Sequence, residues 1–199
     1  MPLPVAHGLI GASIVAASRE DISLRKDWTA LLMGASLAII PDLDLTISWI
    51  FGFHQQLHNG FTHSILFSVC LGLMAAVLMR EARFRGFLVY TIATLSHGLL
   101  DMMTKREFGG AALFWPFSST KYNLGIMDYF EFYPAPGIEP LGPILERALE
   151  ICSYEMMIFM PIFILTVWWR RWQNLPRRAV KSYSARSEKM QETFAGSYR

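Results

Sequence analysis

Charged side chains are scarce in this sequence, and their scarcity argues against most soluble protein classes. Only 17% of the 199 residues are Asp, Glu, Lys or Arg, whereas a soluble domain carries about a quarter. Hydrophobic residues make up 53%, and the 14 Phe and 6 Trp add aromatic surface suited to lipid and to the membrane interface. We therefore expect an integral membrane protein, against the alternative of a very apolar soluble helical domain.

Several sequence motifs are also missing, and each missing motif argues against one class of function. The net charge of +2 comes without a basic stripe interleaved with aromatic residues, so we expect no nucleic-acid partner. The sequence has no glycine-rich phosphate loop, serine-centred elbow or cysteine-nucleophile pattern. Its two cysteines, Cys70 and Cys152, lie in apolar runs and are expected to be small core residues rather than a disulfide. The N-terminus lacks the basic flank of a signal peptide.

Apolar runs predict an all-α membrane bundle of about four to five spans. The candidate segments are Met1–Ser18, Thr29–Ile40, Phe61–Met79, Phe87–Met103 and Pro143–Trp169. The first run is short of the ~20 residues that cross a bilayer, so it is either a short span packed through glycines and alanines or a partly inserted segment. We expect residues 1–175 to form the membrane domain and residues 176–199 to form a basic, polar cytoplasmic tail that is disordered at its end.

The distribution of Lys and Arg predicts an orientation in the membrane. If the N-terminus is outside and each segment crosses once, 14 of the 18 cationic residues fall inside, and the other four are Lys105, Arg106, Lys121 and Arg147. The same arrangement places every candidate metal ligand at the outer face, although ligands were not used to build it. A metal site at one membrane face is the interpretation that this convergence favours.

A short stretch after the second run concentrates side chains that bind divalent metals. Asp42 and Asp44 follow a proline between apolar runs, where we favour a ligand pair over a helix-end cap. His58 and His63 lie five residues apart, so they share a face only if a helix begins between them, with Thr62 as a candidate N-cap. Taken singly, each histidine is more often a satisfied polar group.

Other metal-capable side chains lie in the neighbouring apolar runs. His97 and Asp101 are spaced i, i+4, so they project from one helix face, either as ligands of one ion or as a hydrogen-bonded pair that joins two helices. His7 is either a ligand or a core histidine. Glu155, about one turn inside the last span, is a ligand, a general base or an acid that snorkels to the interface. His54 is expected on the surface.

Four histidines and three aspartates are enough for one or two divalent ions, with zinc preferred, and an open position for water. We predict a hydrolase that acts on a lipid or lipid-linked substrate at the outer face, with Asp44 or Glu155 handling the proton. Trp115 and the two cations that flank its loop, Arg106 and Lys121, are candidate substrate residues, and the two cations either clamp an anionic substrate or are ordinary loop charges. The alternatives are a metal-binding transporter or sensor, and a structural scaffold whose His–Asp pairs join helices.

These residues resemble the YdjM-like family of bacterial inner-membrane proteins, described as membrane-bound metal-dependent hydrolases, from roughly Ala6 to Tyr122. The resemblance rests on His7, Pro41-Asp42-Leu43-Asp44, His58-Asn59-Gly60-Phe61-Thr62-His63-Ser64, Ser96-His97-Gly98-Leu99-Leu100-Asp101 and Phe114-Trp115-Pro116-Phe117-Ser118. The metal-site residues that it implies are His7, Asp42, Asp44, His58, His63, His97 and Asp101. It also implies distant kinship with zinc-dependent phospholipase C-like helical hydrolases, and hence phosphoester chemistry. The chain departs from the family pattern at Asn59, where arginine is more usual.

Overall fold

The computed structural model describes residues 2–44, 60–81, 83–103, 110–126 and 141–196, and in the last helix it places side chains for residues 142–175. These ranges contain the helices α1 (Pro4–Ser18), α2 (Leu24–Ile39), α3 (Ile65–Leu78), α4 (Phe84–Met103) and α5 (Leu141–Gly196). Two short 3₁₀ turns, Ile40–Asp42 and Phe61–His63, follow α2 and precede α3. No β-strand occurs in these ranges, and one isolated bridge joins Ala111 to Tyr122. The all-α prediction is confirmed.

Helices α1 and α2 approach each other at two facing glycines. A Cβ atom on Gly11 would lie 2.2 Å from the Gly34 carbonyl oxygen, and a Cβ atom on Gly34 would lie 2.7 Å from the Gly11 oxygen. A side chain at either position would therefore force the two backbones apart. The short first helix packs through its small residues, as expected, and its crossing of the bilayer stays a prediction.

Two apolar clusters hold the helices together. The larger joins all five helices through Val15, Ala16, Ile22, Ala30, Leu31, Leu37, Leu71, Ala75, Ala76, Tyr90 and Val167. The smaller joins the N-terminal segment to α4 and α5 through Leu3, Ala6, Leu100, Ile151 and Phe159. Large apolar side chains also remain exposed on the outer faces, among them Leu73, Met74, Val77 and Leu78 of α3. Contiguous apolar exposure of this kind is typical of surfaces that contact other apolar material.

One helix in the described part of the chain has the length and hydropathy of a membrane span, namely residues Gly142–Leu175 of α5. Helices α1 and α3 are apolar but have 15 and 14 residues. They rise by about 21–22 Å, less than the ~30 Å of a hydrocarbon core. Helix α4 has 20 residues, which is long enough, but a more polar composition. One span candidate is therefore clear, and the arrangement of four to five spans stays a prediction.

The boundaries of α2 differ from the prediction at its polar end only. The α-helix stops ahead of Pro41, as predicted, because proline has no backbone N–H to continue the i→i−4 hydrogen bonds, and the chain tightens into the 3₁₀ turn with Ile40 still in a helical conformation. It begins at Leu24 rather than near Thr29. The Ser23 N–H donates to a carboxylate oxygen of Asp27, four residues on, at 2.8 Å, and this bond stabilises a first turn that hydropathy alone does not find.

Two further boundaries correct the predicted ones. Helix α3 begins after Ser64, whose hydroxyl accepts a hydrogen bond from the Phe67 N–H at 3.1 Å, so the N-cap is Ser64 and not Thr62. Helix α5 continues to Gly196, well beyond the predicted end near Trp169. The residues that extend it are rich in Arg, Lys, Glu and Ala, all good helix formers that hydropathy does not register.

Candidate metal centre

Four polar side chains from three parts of the chain meet at one end of the bundle. Asp42 comes from the turn after α2, His63 from the turn before α3, and His97 and Asp101 from the last turns of α4. One ligand atom from each lies within 4.8 Å of those of the other three. We call this group the Asp–His cluster. Three members are buried, and the side chain of Asp42 is 10% exposed.

The distances in the Asp–His cluster match those between ligands of one metal ion. His63 Nε2 lies 3.0 Å from His97 Nε2 and 3.2 Å from Asp101 Oδ2. His97 Nε2 lies 3.5 Å from the same Asp101 oxygen and 3.4 Å from Asp42 Oδ1. Donor atoms at the usual distances from a tetrahedral zinc ion are about 3.3–3.6 Å apart. The four residues therefore fit a single divalent cation.

Both histidines are held with Nε2 towards the cluster. His97 Nδ1 lies 2.7 Å from the Ala38 carbonyl oxygen, which can only accept, so Nδ1–H donates to it. His63 Nδ1 lies 2.9 Å from Thr62 Oγ1, and that hydroxyl donates to Asp44 at 2.5 Å. Metal-ligating histidines are commonly oriented by a hydrogen bond at the second ring nitrogen. The Thr62 and Ala38 contacts were not anticipated from the sequence.

A cation would also relieve the electrostatics of the cluster. Two ring nitrogens 3.0 Å apart need either a shared proton or a cation between them. Neither oxygen of Asp42 accepts a hydrogen bond within the described ranges, although both are buried. Two carboxylates that are close together and shielded from water are stabilised by a divalent ion.

His7 and Asp44 lie next to the Asp–His cluster, on different sides of it. The His7 ring stacks on His97 with centroids 3.9 Å apart, and His7 Nε2 is 3.6 Å from Asp101 Oδ1. Neither His7 nitrogen forms a hydrogen bond with a described residue. Asp44 lies behind His63, 3.7 Å from its Nδ1 atom. The structure thus brings together four of the seven predicted ligands, places two beside them, and does not describe His58.

Glu155, predicted to be a ligand or base, holds the start of α1. Its Oε1 atom accepts from the Leu3 N–H at 2.5 Å and its Oε2 atom accepts from the Ala6 N–H at 2.9 Å. Helix α1 has no side-chain cap of its own and no acidic residue in its first turn, so a buried carboxylate from α5 satisfies these donors. Because Ala6 precedes His7, Glu155 also fixes the turn that carries His7. Sequence reasoning missed this role.

The segment 110–126 is attached to the elements that carry the cluster. The Ile65 N–H at the start of α3 donates to the Leu113 carbonyl at 2.9 Å, and the Leu124 N–H donates to the Met102 carbonyl at the end of α4 at 2.7 Å. Gly98 lets the turn before α3 approach α4, since a Cβ atom there would lie 3.0 Å from the His63 carbonyl oxygen. The segment therefore ties α3 to α4 where their ligands meet.

Aromatic side chains of the same segment lie beside the site. Trp115 packs edge-on against Phe61, two residues before His63, with ring centroids 4.9 Å apart. Phe117 is 93% exposed. Lys121 is also exposed, so a substrate could reach its side chain. The third predicted substrate residue, Arg106, lies outside the described residues, as does His54.

Comparisons with known proteins point to the inner membrane. The sequence model of the family described as YdjM inner membrane protein matches residues 1–173. Inner membrane protein YbcI of Escherichia coli (strain K12) is 31% identical over 156 residues, which cover 71% of this chain and 84% of that relative. No solved structure matches.

Proposed function

The chain belongs to the YdjM inner membrane protein family, and on that premise we propose that it is a multi-pass membrane hydrolase whose Asp–His cluster holds a divalent metal ion. The proposal is carried by the 3.0–3.5 Å spacing of the imidazole nitrogens and carboxylate oxygens. Two imidazoles and two carboxylates suit zinc among the common divalent ions. An ion bound there would lower the pKa of a coordinated water towards neutrality and polarise a carbonyl or phosphoryl oxygen.

In this proposal the cluster faces the periplasm. It lies at the end of the bundle where α2 and α4 finish, whereas the α1–α2 and α3–α4 turns meet at the other end. Those turns and the first turns of α2 and α4 carry the cationic residues Arg19, Arg25, Lys26, Arg80, Arg83 and Arg85. Cytoplasmic loops are enriched in such residues, which supports an outward-facing cluster with all five helices crossing the bilayer.

The proposed substrate is a lipid or lipid-linked phosphoester whose tails stay in the membrane. Exposed Trp115 and Phe117 on the segment beside the cluster are suited to the interfacial region, where aromatic rings are enriched in membrane proteins. Lys121 on the same segment is an exposed cation that can pair with a phosphate oxygen. A substrate anchored in lipid would therefore reach the cluster without leaving the membrane surface.

The chain's own residues divide the remaining tasks. Asp44 accepts a hydrogen bond from Thr62 and lies at the edge of the cluster, where it can hold a proton released during hydrolysis. Glu155 is less suited to that role because both of its oxygens already accept backbone hydrogen bonds. His7 and the second oxygen of Asp101 offer ligands for a second ion, should the site be dinuclear.

Metal analysis and a substrate panel test the proposal. The full chain, purified in detergent, should retain about one zinc ion per molecule by mass spectrometry, and the loaded protein should hydrolyse a member of a panel of phospholipids and lipid-linked phosphates. Asp101→Asn should lose both properties, whereas Glu146→Gln, at an exposed carboxylate of α5, should keep both.

The outcomes separate the parts of the proposal. A folded protein that binds no divalent metal overturns the metal site. Stoichiometric metal without turnover of any panel member overturns the hydrolase and favours a transporter or sensor. In the described core, however, buried histidine, aspartate and glutamate side chains are confined to the cluster, its neighbours and Glu155, whereas a path for ions would need such groups along the bilayer depth.

A further inference from the structure

A second polar site lies at the opposite end of the bundle from the Asp–His cluster. A cavity of about 380 Å³ opens there, with charged lining residues Arg19, Glu20, Arg80, Glu81, Arg83 and Arg85. We call it the arginine cavity. Twelve residues of α4 separate Arg85 from His97, a distance of about 18 Å along the helix. The arginine cavity is therefore a distinct site and shares no residue with the metal centre.

The two glutamates neutralise only two of the four arginines. Arg19 Nη2 donates to Glu81 Oε1 at 2.6 Å, and Arg85 Nη1 donates to Glu20 Oε1 at 3.3 Å. Neither Arg80 nor Arg83 has a side-chain hydrogen bond or ion pair with any residue that the structure describes. With four cations and two anions, the charged lining carries a net charge of +2.

Arg80 stands at a backbone position that normally selects glycine. Helix α3 ends in a Schellman motif, in which the Arg80 N–H donates to the Val77 carbonyl at 3.0 Å and the Glu81 N–H donates to the Ala76 carbonyl at 2.8 Å. The φ angle of Arg80 is 55°, in the left-handed region where glycine is the unstrained choice. An arginine in this conformation, at the edge of a cavity with excess positive charge, points to a use for its side chain.

We propose that the arginine cavity binds a phosphate group, supplied either by an anionic phospholipid headgroup or by a free phosphate. Guanidinium groups pair with phosphate oxygens through two parallel hydrogen bonds, and Arg80 and Arg83 are available for such contacts. The volume of the cavity falls within the range of about 300–1,000 Å³ that small ligands occupy. Basic pockets between helices near a membrane surface are suited to lipid headgroups.

The binding test uses the full chain in a nonionic detergent, with lipid adducts counted by native mass spectrometry. The probes are phosphatidylglycerol, zwitterionic phosphatidylcholine as its control, and inorganic phosphate as a competitor. The double variant Arg80→Gln, Arg83→Gln should bind phosphatidylglycerol about 25-fold more weakly, at about fivefold for each arginine. The matched control is Arg25→Gln, Lys26→Gln, which removes two exposed cations outside the cavity and should change binding little.

Every outcome bears on the proposal. Loss of binding in the cavity variant alone, without competition by phosphate, assigns a lipid headgroup, and full competition by phosphate assigns a free phosphate. Equal losses in both variant pairs, equal binding of phosphatidylcholine or no binding of any probe overturns the proposal. Arg80→Gly separates binding from folding, because it relaxes the end of α3: we expect about fivefold weaker binding with an unchanged or higher thermal midpoint. Unchanged binding in this variant would exclude Arg80 from the site.

Discussion

Asp101→Asn is the most informative single change, because Asp101 touches three histidines at once. Its Oδ2 atom lies 3.2 Å from His63 Nε2 and 3.5 Å from His97 Nε2, and its Oδ1 atom lies 3.6 Å from His7 Nε2. Asparagine keeps the shape of the side chain but removes its negative charge. Loss of a residue that hydrogen-bonds to a ligand already weakens metal binding about 10- to 100-fold. Loss of a ligand itself should therefore raise the Kd for the metal at least about 100-fold.

The expected change in thermal midpoint follows from mass action. At a free metal concentration of about 100 times the wild-type Kd, binding stabilises the native chain by about 2.7 kcal/mol. If the Kd rises 100-fold, the same concentration stabilises the variant by only about 0.4 kcal/mol. In a chain of this length about 1 kcal/mol shifts the thermal midpoint by about 2–4 °C. The metal-induced shift should therefore fall from about 5–11 °C to about 1–2 °C.

Thermal unfolding followed by tryptophan fluorescence provides the assay, since the chain has 6 Trp. Wild type, Asp101→Asn and the control Glu146→Gln are each measured with a chelator and then with excess zinc. The control should show the full wild-type shift. The reasoning is refuted if Asp101→Asn shows the same shift as wild type, because Asp101 would then contribute nothing to metal binding.

Three further variants test separate features of the structure. Glu155→Gln should lower the free energy of unfolding by about 1–2 kcal/mol in denaturant titrations, because it weakens the cap of α1. The number of zinc ions bound per molecule should stay the same, and a loss of zinc would instead indicate a direct role of Glu155 in the metal site. Gly98→Ala should weaken zinc affinity about tenfold in a competition titration, since its Cβ atom presses on the turn that carries His63. Gly142→Ala, whose Cβ atom meets nothing, is its control, and equal affinities would contradict the close approach. Arg80→Gly should raise the free energy of unfolding by about 0.5 kcal/mol, and a clear loss would argue against strain at that residue.

The sequence predicted part of the candidate site well, because residue type and local spacing carry much of the signal. His97 and Asp101 lie one turn apart at the end of an apolar helix, so their common direction follows from helical periodicity. Periodicity could not show which of Asp42 and Asp44 belongs to the cluster. They are two residues apart and chemically identical, and only the turn after α2 directs one into the cluster and the other towards Thr62.

Long-range contacts explain most of what the sequence could not predict. Glu155 accepts its hydrogen bonds from backbone groups 149 and 152 residues away. Every residue except proline has a backbone N–H, so the sequence does not show which of them Glu155 contacts. The all-helical class followed from apolar runs, whereas helix ends that depend on polar caps or on charged helix formers did not. The polar start of α2 and the extension of α5 to Gly196 are of this second kind.

The contact between Gly11 and Gly34 has a mechanical consequence for the metal centre. Four residues separate Gly11 from His7, and eight separate Gly34 from Asp42, or about 6 Å and 12 Å of helix. The two backbones touch at Gly11 and Gly34, with the side chains of Val15 and Ala38 packed beside them, so α1 and α2 should move as one rigid unit. His7 and Asp42 are thus braced from deep inside the protein, so a bulkier residue at this junction should shift both side chains and weaken metal binding at the candidate site without altering any of its residues.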